Sequence, residues 1–276
     1  MNGSLLQSTT TGTDMFGQLQ HAGWLHFKFD TDLLGWVDHA LPYAREAVAA
    51  FENAEWLRCG GTWFVGVNLL PNDPQGRIEN SGPLSGEAVS FLEQNDSLAG
   101  FDLDRAQISV CYPGYPKPSA SESDSAYRYR QNRNAAHIDG LLAIGTNRRR
   151  YLKEPHAYVL GIPMTDFCAD AAPPVVWESS HQIARARFRK FFSGIPPEKW
   201  PEVDVTDVYQ TLRREIFEQC PRRLLQLKRG ESFLLHRLTL HGITPWGENA
   251  TAGPDGRMIC YFRPKFRNPR DWLCAP

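Results

Sequence analysis

Between Leu34 and Leu57 the apolar residues Trp36, Leu41, Ala44, Val48, Phe51 and Trp56 recur at roughly helical spacing, and the wider stretch 14–58 mixes short apolar clusters with helix formers. The pattern predicts a helical N-terminal layer over about 14–58. After the Gly60-Gly61 break, Thr62 to Leu70 is β-branched and aromatic, and Pro71-Asn72-Asp73-Pro74 ends it as a loop. Five further β-rich runs follow, at Arg105 to Tyr112, His156 to Pro163, Pro174 to Trp177, Glu231 to His241 and Arg257 to Pro264, separated by Pro, Gly and Asn loops. Many short strands with turn-rich spacing predict a sandwich or barrel. Within this β-core, about 62–265, the polar stretch 182–226 with RARFRKFF and VYQTLRREIF predicts a helical insertion packed on the sheet. The reading is a single domain over 1–276, mainly β with flanking helices.

Composition narrows the function. The 30 basic and 31 acidic residues leave a formal charge of −1, so long-range electrostatics nominate neither nucleic acid nor an anionic membrane as partner. No apolar run approaches the roughly 20 residues that cross a bilayer, and Met1 to Gln20 is polar and Thr-rich, which predicts a cytoplasmic protein. The six cysteines are scattered without a C-x-x-C pair, and each is expected to be a reduced core thiol. The expected partner is a small molecule, and no oligomeric state is assigned.

The chemistry is read from the eight histidines. In Asn134-Ala135-Ala136-His137-Ile138-Asp139-Gly140 an imidazole and a carboxylate stand two residues apart, on one face of an extended strand. Both then reach one metal ion. Such a tripeptide alone is common and needs a third ligand, for which His241, in Leu240-His241-Gly242, is the candidate. Two imidazoles and one carboxylate on one face of the ion leave positions open for substrate and oxygen, which suits non-haem Fe(II). Arg257 opens the next strand, and a guanidinium near such a site suits a dicarboxylate co-substrate, 2-oxoglutarate.

The order H-x-D, distant His-Gly, then Arg opening a strand resembles the Fe(II)/2-oxoglutarate-dependent oxygenases, specifically the phytanoyl-CoA dioxygenase-like branch, over roughly residues 105 to 265. Pro173 to His181 looks like that branch's strand ending in a Gly-Ser-His turn, and Gly230 to His236 precedes the ligand strand as its Gly-Asp segment does. The resemblance implies a double-stranded β-helix, a cupin-like jelly roll with helices outside. It also implies iron ligands at His137, Asp139 and His241 and a co-substrate arginine at Arg257. Many members carry Ser two positions after the distal His; here Ile243 stands there, and Thr244 is the candidate substitute. Tyr158 and Trp177 are candidates to line the co-substrate pocket. The implied reaction is hydroxylation of a small molecule, consuming molecular oxygen and releasing succinate and CO2.

Two other readings use the same residues: a catalytically silent metal-binding or regulatory protein on this scaffold, and a zinc-dependent hydrolase. His21, His26 and His39 are given no role, His156 is placed at the surface and His181 in a turn. The tract Arg148-Arg149-Arg150 and the cluster Arg185, Arg187, Arg189, Lys190 are read as solvated faces. Finally, 231–241 and 257–264 are read as two arms of a hairpin, which sets His241 beside Arg257, sends His236 to the opposite face as a core group and leaves Arg263 a structural residue far from the site.

Overall fold

A computed structural model describes residues 12–119 and 122–276; most of Met1 to Gln20, on which the targeting expectation partly rests, lies outside them. The chain opens with α1 (Gly12–Ala22), the short strand β1 (Trp24–Phe27) and α2 (Thr31–Ala49). Asp30 sets the start of α2 by accepting the amides of Asp32 and Leu33, and its second oxygen accepts Glu87 N–H at the start of α3 (Glu87–Glu93). One carboxylate therefore caps two helices. Between them lie β2 (Leu57–Arg58) and β3 (Trp63–Gly66), then come β4 (Gln107–Cys111), α4 (Asp124–Arg133) and the hairpin β5 (Leu141–Ile144) with β6 (Arg149–Leu152).

The remaining strands are β7 (Tyr158–Pro163), β8 (Pro174–Trp177), β9 (Arg222–Leu224), β10 (Ser232–His236), β11 (His241–Ile243) and β12 (Arg257–Phe262). Helices α5 (Ser180–Phe191) and α6 (Thr206–Gln219) lie between β8 and β9, and α7 (Asp271–Cys274) follows β12. Seven strands form one antiparallel sheet in the order β1-β10-β7-β12-β4-β3-β2, and a smaller sheet has the order β11-β8-β9. Period-two alternation sorts each strand between layers. On β12, Met258, Cys260 and Phe262 join the core beneath α2, whereas Ile259 and Tyr261 face Val176, Phe233 and Leu235 between the sheets. A third core packs α5 and α6 on the small sheet through Trp177, Phe188, Tyr209 and Leu212. Two facing antiparallel sheets with helices outside make the expected jelly roll.

Several local expectations are corrected. The N-terminal layer contains a strand, because Leu25 and Phe27 point inward on alternate positions and β1 pairs with β10. The helix α4 lies between β4 and β5, and the insertion ends in a strand, β9, of the small sheet. The stretch 231–241 is not one arm of a hairpin. It splits into β10 in the large sheet and β11 in the small one, and β12 pairs with β4 and β7 instead. The break has a visible cause: Arg237 is fully buried and donates to Trp272 O (2.7 Å) and Ala275 O (2.5 Å), while Leu238 and Leu240 turn into the helical core. The cysteines are all free among the described residues, but Cys274 is exposed and Cys168 and Cys220 are only part-buried. No described helix is long and apolar enough to cross a membrane.

Candidate metal centre

The segment carrying His137 and Asp139 is held in an unusual backbone conformation. Asn134 and Ala135 both adopt positive φ (54° and 50°) as α4 ends, and Gly140 (φ 84°) turns the chain immediately after the carboxylate. Side chains from other elements hold this segment: Tyr209 of α6 accepts Ile138 N–H at 3.0 Å, and Tyr129 of α4 donates to Ala136 O at 2.8 Å.

His137 and His241 then meet through their backbones. His137 N donates to His241 O (2.8 Å) and His241 N donates to His137 O (3.0 Å), which sets the two rings side by side with centroids 4.6 Å apart. Each ring is oriented by its own chain: His137 Nδ1 donates to Ala135 O (3.0 Å) and His241 Nδ1 to Thr239 O (2.9 Å). A carbonyl can only accept, so in both rings the proton sits on Nδ1 and the Nε2 lone pair is free. Those Nε2 atoms lie 3.1 and 3.8 Å from the same Asp139 oxygen, Oδ1. The three ligand atoms fall within 4.8 Å of one another. Such a group could hold one metal ion, with the second ring nitrogen of each histidine already tied down.

The electrostatics agree with a deprotonated site. Burial and the adjacent His137 push His241 down to about 4, keeping its ring neutral. Burial would raise the Asp139 carboxyl, but His137, His241 and Arg263 outweigh it and hold the group well below the usual carboxylate range.

The two arginines are placed differently from expectation. Residues 257, 259, 261 and 263 share the inner face of β12 and its extension. Arg263 is thus brought to the site rather than excluded from it: its Nη1 lies 3.7 Å from Asp139 Oδ2. Asp139 offers one oxygen to the histidines and the other to a guanidinium. The even spacing from Arg257 was the signal that could have found it; the length of the strand argued otherwise only because a hairpin was taken to set Arg257 beside His241. Arg257 is fully buried at the other end of β12. Its Nη2 donates to Cys111 Sγ (2.9 Å), and its Nε and Nη1, like the buried Tyr115 hydroxyl, have no partner. Burial, against the opposing pull of Arg257, pushes the Cys111 thiol up to about 11, so it is a neutral and weak acceptor.

A cavity of about 260 Å³ runs between the sheets, with Val176, Phe233, Leu235 and Tyr261 among its walls and His137, Asp139, His241 and Arg263 lining it as well. Four residues expected at the co-substrate do not line it: Arg257, Trp177, which packs with the helices on the small sheet, Tyr158 and Thr244. Tyr158 faces the opposite side of its sheet, edge-on to Phe101 in the core beneath the helices, because even positions of β7 point away from the cavity. The Thr244 hydroxyl is spent on Pro173 O (3.1 Å), and Ile243 lines the cavity instead. His236 lies elsewhere, its Nδ1 accepting Leu238 N–H and its ring 4.7 Å from His181, with Arg185 half-buried against its Nε2 rather than solvated. His156 is buried, bonded to Arg263 O, not at the surface.

Gly242 shows how tightly the two ligand segments meet. A Cβ there would lie 2.2 Å from Asn134 O and 3.2 Å from the Ala136 backbone, with no flexible side chain to give way. Gly242→Ala is expected to force the His137 and His241 backbones apart, costing about 3 kcal/mol, seen as a lower denaturation midpoint together with weakened metal binding.

No family model matches the sequence, and no curated protein matches it. Among solved structures, the non-heme alpha ketoglutarate dependent epimerase SnoN from nogalamycin biosynthesis is similar at 13% identity and a TM-score of 0.51, over 92% of this chain and 82% of SnoN. SnoN in complex with Fe3+, alpha ketoglutarate and nogalamycin RO is similar at 14% identity and a TM-score of 0.52, over 92% and 83% of the two chains. The non-heme alpha ketoglutarate dependent carbocyclase SnoK from the same biosynthesis gives 14% identity and a TM-score of 0.49, over 95% and 87%. SnoN is thus a non-heme alpha ketoglutarate dependent enzyme that has been seen with Fe3+, and the phytanoyl-CoA dioxygenase-like resemblance of the sequence is consistent with it. At such identities the likeness to SnoN establishes the fold, and this chain is a double-stranded β-helix.

Proposed function

We propose that the protein is a non-haem Fe(II)- and 2-oxoglutarate-dependent oxygenase that hydroxylates a small molecule. The observation that carries the reading is the pair of free Nε2 lone pairs converging on Asp139 Oδ1 beside an apolar cavity. His137, Asp139 and His241 would hold the iron on one side and leave its other positions facing that cavity. Bound iron and 2-oxoglutarate would supply the oxidising chemistry, consuming oxygen and releasing succinate and CO2 as a substrate C–H bond is oxidised.

The chain's own residues support the co-substrate as well as the metal. A guanidinium buried with two unpartnered N–H groups is costly unless an anion completes it, and Arg257, whose one partner is a thiol, fits a distal carboxylate of 2-oxoglutarate. Arg263 fixes Asp139 from behind, orienting its free oxygen. The apolar walls exclude water from the open side of the site.

Zinc-dependent hydrolysis needs a base beside the metal. Glu154 lines the cavity, but His156, whose Nε2 lies 3.5 Å away, and a hydrogen bond from Lys265 overcome its burial and pull it down to about 2, so it is a poor proton acceptor near neutrality. The test of the oxygenase reading is spectroscopic. Protein given Fe(II) and 2-oxoglutarate without oxygen is expected to develop a weak visible charge-transfer band, and admitting oxygen to release succinate. Protein that binds both components yet shows neither band nor succinate is a silent site or a hydrolase.

A further inference from the structure

On its side away from the main cavity, the His137 to Asp139 segment walls a second hollow, of about 430 Å³. The two hollows share Trp63, His137, Asp139 and Leu142, so they meet at the ligand cluster. Their chemistry differs. Where the first has apolar walls, the second is lined by Arg148 from the β5–β6 turn, Arg150 from β6 and Arg213 from α6. Two of the three arginines of the tract expected to be a solvated face thus line a hollow beside the candidate site.

Arg150 and Arg213 are held only by neutral groups. Arg150 Nη1 donates to Leu141 O (2.9 Å), and Arg213 Nη1 donates to the Tyr129 hydroxyl (2.7 Å). The Arg213 guanidinium also lies over the Tyr129 and Tyr209 rings, 5.0 and 4.7 Å from their centroids, and its buried Nε has no partner. The ion pairs of this region go to other residues: Arg130 to Glu122, and Arg149 to Asp204 and Asp207. Among the described residues Arg148, Arg150 and Arg213 have no carboxylate partner, and residues 1–11, 120 and 121 contain no Asp or Glu. Burial lowers the Arg150 pKa, and both Arg213 and Arg148 lower it further, the signature of like charges pressed together. Asp139 is the one carboxylate on the wall, and it is already engaged by His137, His241 and Arg263. Gathering three guanidinium groups without a counter-charge costs folding free energy, and a bound anion reverses that cost through charge-assisted hydrogen bonds.

We propose that this hollow seats the anionic end, a carboxylate or a phosphate, of a substrate whose apolar body occupies the main cavity. The substrate class is then an amphiphilic acid, laid across the ligand cluster with its charged end on Arg148, Arg150 and Arg213. This inference rests on the oxygenase reading for the word substrate, but its test needs no turnover. Protein loaded with Zn(II) is titrated calorimetrically with octyl phosphate, octanoate and 1-octanol, in wild type and in Arg148→Gly and Arg213→Gln. Arg148 is exposed at a φ of 50°, where glycine is unstrained, so that variant folds even if Arg213→Gln does not.

At least one of the two anions is expected to bind about tenfold or more tightly than 1-octanol, the scale of one charge-assisted contact, and each variant is expected to erase most of that preference. Whichever anion is preferred names the source of the charge. Equal affinity for anion and alcohol, no binding of either anion at millimolar concentration, or a preference that survives both variants would overturn the proposal. So would stoichiometric displacement of the anion by 2-oxoglutarate alone, which would make these arginines its seat. Because zinc gives no charge-transfer band, failure here leaves the Fe(II) band to decide the oxygenase reading separately.

Discussion

His241→Ala and Asp139→Ala are each expected to abolish stoichiometric iron binding, and with it the 2-oxoglutarate charge-transfer band, while the chain stays folded. The reason is geometric. Both side chains end at a cluster in which every polar atom except the converging ones is already satisfied: Nδ1 of His241 on Thr239 O, and Oδ2 of Asp139 facing Arg263. Removing either leaves two donors, too few to hold Fe(II). The backbone bridge between His137 and His241 does not depend on the side chains, so the sheets remain joined. His236→Ala provides the opposite result. It keeps iron, because that ring lies on His181 and Arg185 rather than in the cluster. It loses about 2 kcal/mol, because the buried Leu238 N–H is left without its acceptor. Iron content by metal analysis and denaturation midpoints for the three variants separate the two behaviours. Iron retained in His241→Ala and lost in His236→Ala would refute the ligand assignment.

The second large effect concerns the two arginines of β12. Arg257→Met is expected to raise the 2-oxoglutarate concentration needed for turnover by about 100-fold, the loss of a bidentate charge-assisted contact in a buried setting. Stability in the absence of co-substrate moves the other way: removing a fully buried guanidinium with two orphaned N–H groups leaves the variant as stable as wild type or more so. A merely structural arginine would show the reverse pattern, with lower stability and an unchanged co-substrate requirement. Arg263→Met is expected to act on the metal instead. It frees Asp139 Oδ2, and losing a group that orients a ligand weakens metal affinity by about 10- to 100-fold. Steady-state kinetics against 2-oxoglutarate, iron titrations and melts on both variants distinguish the roles. Should Arg263→Met carry the co-substrate effect and Arg257→Met none, the two arginines exchange assignments.

What was legible in the sequence was whatever depends on neighbours a few residues away. Pro174 to Trp177 is a strand over its full predicted span because a continuous apolar run between prolines and a polar turn admits little else. Period two places His137 and Asp139 on one side of their segment, and Arg257, Ile259 and Tyr261 on the inner face of β12, wherever those segments go. The tertiary structure decided where they go. Glu231 to His241 reads as one continuous strand, and it is split by Arg237 reaching carbonyls 35 and 38 residues away. The H-x-D segment keeps its positive-φ entry because Tyr209, 71 residues on, accepts its amide. Thr244 was assigned by its place beside Ile243 and Tyr158 as a pocket aromatic, and sheet pairing tied the one to Pro173 and turned the other away from the cavity. Arg263 was excluded by its distance along a strand, and the pairing of β12 with β4 and β7 brought it to Asp139 instead. Local periodicity follows from backbone geometry that every residue carries with it. Strand partners and buried counter-groups follow from contacts between distant segments, whose energies exist only once the chain has closed on itself.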